Sequence, residues 1–350
     1  MTTVTPHTKD KATERPLKVL VIRFSSIGDI VLTTPVVRCL KKQRPGTEIH
    51  YCTKRQFSAI VESNPYIDKC VYLEDDLAAL ITQLKKENYD YVVDLHHNLR
   101  TMRIKKALKA PAASFPKLNI QKWLLVNLKW NMMPDKSIVD RYLETVKPLG
   151  IKNDGQGLDY FIPEKDQVTQ QDIPVSHWMG YIGIVIGAQH ATKKLPVDKL
   201  RELCRALNYP IILMGGKEDA AVAEEIRAVD DVKIYNACGK FSLNESADLV
   251  RRARLIISHD TGLMHIAAAF KKEIISVWGN TVPEFGMYPY MGYNNLGGTI
   301  APNVHLMEVK GLSCRPCSKI GYSNCPKRHF KCMNNQDMPE IAALAQKILQ

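Results

Sequence analysis

The chain has 350 residues, 45% hydrophobic and 24% charged, a balance that excludes a mainly disordered chain, a collagen or a coiled coil. At roughly 150 residues per domain, the length suggests two domains. Lys and Arg outnumber Asp and Glu by 48 to 36, leaving a net charge of +12 that favours a polyanionic partner such as nucleic acid, an anionic membrane surface or a phosphorylated substrate.

The polar residues 1–16 carry no apolar core of a secretory signal and read as a frayed tail. The longest apolar runs, Ile182 to Ile186 and Ile211 to Met214, fall far short of the ~18–20 residues of a membrane span. Nine cysteines without a secretory signal point to a reducing cytoplasm, with thiols or metal ligands rather than disulfides. From Lys18 onward, β-branched runs at Val19–Ile22, Glu48–Tyr51 and Tyr89–Val93 alternate with helical patterns at Ile30–Gln43 and Leu77–Glu87. A stretch rich in Asp, Gln, Gly and Pro, Lys152–Ser176, reads as a linker. A second series follows, with strands at Tyr181–Ile186, Pro210–Met214, Val232–Tyr235, Leu255–Ser258 and Glu273–Val277. Its helices are expected at Val197–Leu207, Glu218–Val229, Ser246–Ala253 and Leu263–Phe270, and a last helix spans Met338–Leu349. Such alternation gives an α/β fold of two doubly wound, Rossmann-like domains, with ligand in the cleft outside the strand ends.

Three strand-to-helix turns carry polar chemistry. Ser25-Ser26-Ile27-Gly28-Asp29 follows the first strand; Gly28 permits a close backbone approach, and Asp29 either caps the helix or faces the cleft. It is neither a dinucleotide fingerprint nor a Walker A loop. Ser258-His259-Asp260-Thr261-Gly262 has the same layout in the second half. There Thr261 and Gly262 can offer donors to a diphosphate at a helix N-terminus, while His265 is a core histidine or a site residue. Gln189-His190-Ala191-Thr192-Lys193-Lys194 supplies lysines that can neutralise phosphate oxygens.

Together these segments resemble glycosyltransferase family 9, the ADP-heptose:lipopolysaccharide heptosyltransferases, from about Lys18 to the C-terminus. The resemblance rests on SSIGDIVLTTP at Ser25–Pro35, KKLP at Lys193–Pro196 and SHDTGLMHIAAA at Ser258–Ala269; Leu195 stands where the family commonly has Trp. It implies a GT-B fold, with an acceptor-binding domain over 17–165, a donor-binding domain over 175–335, and a terminal segment, 336–350, packing back on the first domain. It also implies Asp29 as general base and Lys193, Thr261 and Gly262 as diphosphate binders. Asp260 would contact the donor sugar and Glu218 the donor ribose, with Gln189 nearby. On the acceptor side stand Gly28 and the turn bearing His97, Asn98 and Arg100. Neither a cofactor nor a metal is expected: the chain has no D-x-D motif, and Lys193 with the helix start can hold the leaving diphosphate. The expected reaction is an inverting, metal-independent transfer of a heptose from a nucleoside-diphosphate sugar, ADP-heptose, to a lipopolysaccharide-core or lipid-linked glycan, at the cytoplasmic face of the inner membrane. Transfer of another sugar to a capsular or surface glycan remains open.

Two further features stand apart. Residues 100–136 hold nine Lys or Arg against Asp135 alone, and Ile120, Trp123, Leu124 and Leu128 form one helical stripe. This is either an interfacial segment for anionic lipid or a core-packing helix with a basic outer face. Cys314, Cys317, Cys325 and Cys332 make C-x2-C-x7-C-x6-C with His329 nearby: a structural zinc site, reduced packing thiols or a redox pair. The charge and this cluster also admit a zinc-knuckle nucleic-acid binder, although no stacking pattern of a standard module accompanies them. An epimerase or dehydrogenase would need a dinucleotide fingerprint that the chain lacks.

Overall fold

A computed structural model describes residues 16–292 and 301–350; the expected tail, except Pro16, lies outside them. The first half holds five parallel strands, β1 (Lys18–Ile22), β2 (Glu48–Lys54), β3 (Lys69–Leu73), β4 (Tyr91–Asp94) and β5 (Ala112–Ser114), in the order β3-β2-β1-β4-β5. The second holds six, β6 (Ile182–Val185), β7 (Ile211–Met214), β8 (Ile234–Asn236), β9 (Leu255–His259), β10 (Glu273–Trp278) and β11 (Val304–Glu308), in the order β11-β10-β9-β6-β7-β8. Every strand pair is parallel. Helices cover both faces, so β1, β6 and β9 read as continuous apolar runs rather than alternating ones, as the expected doubly wound architecture requires. In each sheet the strand order reverses once, between β1 and β4 and between β6 and β9, and ligands of such sheets bind beyond the carboxyl ends at that point.

Four features differ from the sequence reading. Strands β3, β5 and β11 were not expected. The helix expected over Ile30–Gln43 is two, Ile27–Val31 and Thr34–Gln43, because Pro35 sits in the first turn of the second and cannot continue a preceding helix. The 152–176 stretch is no free linker. Arg38, buried, binds Asp154 through two hydrogen bonds of 2.8 Å and also pairs with Asp159. Onward, the Tyr160 hydroxyl donates to Asn244 at 2.8 Å and the Val168 amide to Asp248 at 2.9 Å, both on the second half. Finally, Met338–Leu349 does not pack back on the first half. Met338, Ile341, Ala342 and Ala345 bury among Leu200, Leu203, Ile257 and Ile275, all of the second half. An amphipathic face announces that it will be buried, not against what.

Candidate functional site

The two reversal points face each other across a crevice, and two glycines let them meet. A β-carbon on Gly28 would lie 2.6 Å from His265 Cδ2 and 3.3 Å from Gly262 Cα; one on Gly262 would lie 2.7 Å from Ile27 Cγ2. The helix Ile27–Val31 therefore abuts the helix Gly262–Ala269 backbone to backbone, and Asp29 lies across that contact from Asp260 and Lys193. Between them is the His265 ring, buried and close enough to sense Asp260, Asp29 and Lys193 electrostatically.

Asp29 is held from three sides. Arg23, at the end of β1, places a guanidinium nitrogen 2.7 Å from its carboxylate. The Ser26 hydroxyl donates to it at 2.8 Å and the Ser26 amide at 3.2 Å. Arg23 is fixed in turn by the carbonyls of Leu95 (2.5 Å) and Ser25 (2.7 Å). Burial pushes the Asp29 carboxyl up, but the Arg23 charge and the Ser26 hydrogen bonds outweigh it and hold the group below the usual carboxylate range. The side chain keeps 21% of its surface, so it is both ionised and reachable.

On the opposite wall, Lys193 lies in the short turn after β6 and reaches Asp260 at 2.6 Å; the Thr281 hydroxyl donates to the same carboxylate oxygen at 3.0 Å. Thr261 is extended at the head of the helix Gly262–Ala269 and its side chain makes no capping bond. The first amides of that helix are thus uncapped by Thr261, and no acidic residue sits in its first turn, so the positive end of the dipole is open to an anion. Lys194 turns away from Lys193 to Asp219 (2.6 Å), which also accepts from the Gly216 amide at 3.0 Å. Glu218 is exposed and folded over Gly216, and Gln189 is exposed on the loop after β6.

The acceptor-side residues divide. Asn98 caps the helix Leu99–Leu108 by accepting from the Thr101 amide at 3.0 Å. The His97 ring nitrogen lies 3.0 Å from the Phe115 carbonyl, and Arg100 is exposed. On this turn the histidine in electrostatic range of Asp29 is His97's neighbour, His96, which stacks edge-on with Phe24 and is pushed by burial and by Arg23 down to about 4. Sequence reasoning missed Arg23, His96, His259 and Thr281. A charged residue closing a buried strand was the available signal for Arg23. His259, beside Asp260, accepts from the Leu195 amide at 3.0 Å and so fixes the lysine turn; nothing in the local pattern announced it.

The cysteine-rich segment docks on that same turn: the Thr192 amide donates to the Tyr322 carbonyl at 3.1 Å and the Tyr322 amide to the Thr192 hydroxyl at 2.8 Å. An open cavity of about 620 Å³ lies there, lined by Ala191, Thr192, Asn324, Cys325, Arg328 and Phe330. Cys314 Sγ is 3.8 Å from His329 Nε2, and burial pushes the Cys332 thiol up to about 11. The potential metal ligands that the described residues gather most closely are Glu48, His50 and Glu87, away from the cysteines. Both of those carboxylates are already paired with Lys18, at 3.2 and 3.1 Å.

Comparison with known proteins bears on the family and the fold. Over 296 residues the chain is 25% identical to lipopolysaccharide heptosyltransferase 1 of Campylobacter coli, covering 76% of this chain and 84% of that protein. It is 24% identical over 307 residues to lipooligosaccharide heptosyltransferase 2 of Haemophilus influenzae, covering 77% and 85%. Its fold matches a family 9 glycosyltransferase of Veillonella parvula with a TM-score of 0.73 and 22% identity over 97% of this chain and 99% of that one. It also matches E. coli ADP-heptose heptosyltransferase II, with a TM-score of 0.67 and 18% identity over 95% and 100%. Residues 77–319 match the sequence signature of glycosyltransferase family 9 (heptosyltransferase). The chain belongs to glycosyltransferase family 9 and is a glycosyltransferase of the GT-B fold.

Proposed function

We propose that this enzyme moves a heptose from ADP-heptose to a lipopolysaccharide-core or lipid-linked glycan at the inner face of a membrane, by one inverting, metal-independent displacement. The contact of Gly28 with Gly262 and His265 carries the reading, because it sets a lone ionised carboxylate across a crevice from a lysine and an open helix start.

Asp29 is the general base. Its pairing with Arg23 makes it weaker than a free carboxylate but keeps it ionised, and the acceptor hydroxyl becomes acidic as its oxygen bonds to the sugar, so proton transfer falls late in the step. The bond to the diphosphate breaks on the opposite side of the sugar carbon, which inverts its configuration. Lys193 and the amides at the start of Gly262–Ala269 take up the charge of the departing diphosphate, the part a metal plays in other transferases. When Lys193 turns to the phosphates, Asp260 keeps the Thr281 hydroxyl and gains a sugar hydroxyl in exchange. The histidines His96 and His265, both pushed down to about 4, stay neutral and leave the local charge to Arg23 and Lys193. Glu218 and Gln189 serve the donor, and Gly28, His97, Asn98 and Arg100 shape the acceptor side.

The test is a thermal-shift series with ADP, UDP and GDP followed by transfer from the matching sugar nucleotide. Selective stabilisation by ADP, and a product of opposite anomeric configuration to the donor, support the reading. A preference for UDP or GDP makes another sugar the substrate, and turnover abolished by a chelator and restored by a divalent cation overturns the metal-independent step.

A further inference from the structure

Large apolar side chains left in solvent are concentrated in one part of this molecule. Thirteen are exposed among the described residues, and seven of them fall between positions 99 and 132, about a tenth of the chain. Leu99 (74% exposed) and Met102 lie one turn apart on the helix Leu99–Leu108; Ile120 (73%) and Trp123 (50%) lie one turn apart on the helix Asn119–Asn127; Leu128, Trp130 and Met132 follow it. The first of these helices leads into β5 and the second leaves it, and β5 is the outermost strand of the first sheet.

These residues are not a core face waiting for a partner within the chain, because each helix already has one. Thr101 and Ile104 are buried on the first helix, and Leu125 of the second packs against Val282 and Phe285 from the other half. The stripe that the sequence offered as core or interface is therefore a second apolar face. On the helix Leu99–Leu108, cations are interleaved with the exposed Leu99 and Met102. Arg100, Arg103, Lys106 and Lys109 are all exposed, and among the described residues they make no ion pair. A face carrying four unneutralised cations repels a second copy of itself, whereas apolar side chains alternating with free cations match a layer with anionic headgroups above hydrocarbon.

We infer that the β5 edge, through Ile120, Trp123, Trp130 and the Leu99–Met102 turn, inserts its side chains into an anionic bilayer. The inference rests on the proposed lipid-linked acceptor and adds how it is reached. The helix that exposes Trp123 also carries Lys122, which senses Asp29 and Arg141 at the crevice and lies over the Phe285 ring at 6.0 Å. The bilayer face and the acceptor rim are thus successive sides of one helix, so a membrane-anchored acceptor meets Asp29 without leaving its lipid layer.

The full chain is mixed with phosphatidylglycerol-containing vesicles or with phosphatidylcholine alone, and followed by co-sedimentation and tryptophan emission. Binding to the anionic vesicles with a blue shift is expected, lost roughly tenfold or more in Trp123→Ser/Trp130→Ser. Arg103→Ser/Lys106→Ser should remove the salt-sensitive part of binding. ADP-induced thermal stabilisation, unchanged in both variants, shows that they fold; if ADP fails to stabilise the wild type, the donor assignment falls and this face does not. Equal binding to both vesicles, binding indifferent to the tryptophans, tighter binding to RNA than to vesicles, or a dimer that Trp123→Ser dissociates would each overturn the inference.

Discussion

The two crevice walls are built alike and charged differently. Each is a central strand, a polar turn, an aspartate and a short helix, and each aspartate is gripped by one cation and one hydroxyl: Asp29 by Arg23 and Ser26, Asp260 by Lys193 and Thr281. The difference lies in where the acid sits. Asp29 is inside the first turn of its helix and neutralises that helix's own positive end, whereas Asp260 precedes a helix whose first turn holds no acid. Arg23 is pinned to two backbone carbonyls, while Lys193 holds Asp260 from the end of a flexible four-carbon stem. One turn keeps a carboxylate for chemistry; the other keeps a cation and a helix end for an anion.

The sharpest way to break that contrast is to neutralise each acid. Asp29→Asn should lower turnover about 10²–10⁴-fold, some 3–5 kcal/mol of barrier, with the donor dissociation constant unchanged. Asp260→Asn should instead weaken donor binding roughly 10–100-fold, the worth of a charge-assisted hydrogen bond, with a smaller loss of turnover. Calorimetric titration beside steady-state kinetics separates the two. If Asp29→Asn weakens the donor as much as Asp260→Asn does, the two walls share one role and Asp29 is no base.

Part of this contrast was legible in the sequence. Eight strands and both acids stood out because parallel strands buried on both faces are apolar runs ending in polar turns. Strands β3, β5 and β11 did not: β5 is the three residues Ala-Ala-Ser, and β3 and β11 are edge strands whose half-buried and polar positions break the run. The binding of Arg38 to Asp154 and Asp159 joins residues more than a hundred positions apart, so composition marked a linker where the fold made a clasp. Likewise Asp29 was visible and its holder was not. Arg23 and Asp29, six positions apart, become neighbours only because the turn between them doubles back. The bonds of His97 to Phe115 and of Asn98 to Thr101 are equally invisible in a string of letters.

The second wall also buries more histidine, and this sets a pH limit. His259 and His265 are both pushed down to about 4 from 6.5, first by burial. The unfolded chain therefore binds protons that the folded one refuses. Stability should be complete above pH 6.5, fall as pH drops below it and level off near pH 4, by about 3 kcal/mol per histidine. Urea unfolding across this range should show the fall, and His265→Asn should remove about half of it. Asp29, held low by Arg23, works in the same direction at still lower pH, since its stabilising pair is lost only as the carboxylate is protonated. A profile that stays flat from pH 7 to pH 4 would mean that water reaches both rings.

A smaller effect probes where the walls touch. Gly28→Ala and Gly262→Ala each place a methyl group 2.6–2.7 Å from an atom of the other half. Neither glycine has a positive φ and both lie in helices, so alanine on its own would be favoured by up to about 1 kcal/mol. Overpacking a rigid contact costs about 1–3 kcal/mol, so a net loss of about 1–2 kcal/mol should be measured for each variant. The two changes press on one contact, so once the first has pushed the walls apart the second has less to disturb. The double variant should therefore lose less stability than the two single losses added together. Turnover should fall further than stability alone accounts for, because Asp29 and Lys193 are then spaced for no common substrate. Strict additivity, or single variants as stable and active as the parent, would show that the walls meet less closely than the Gly28–Gly262 contact requires.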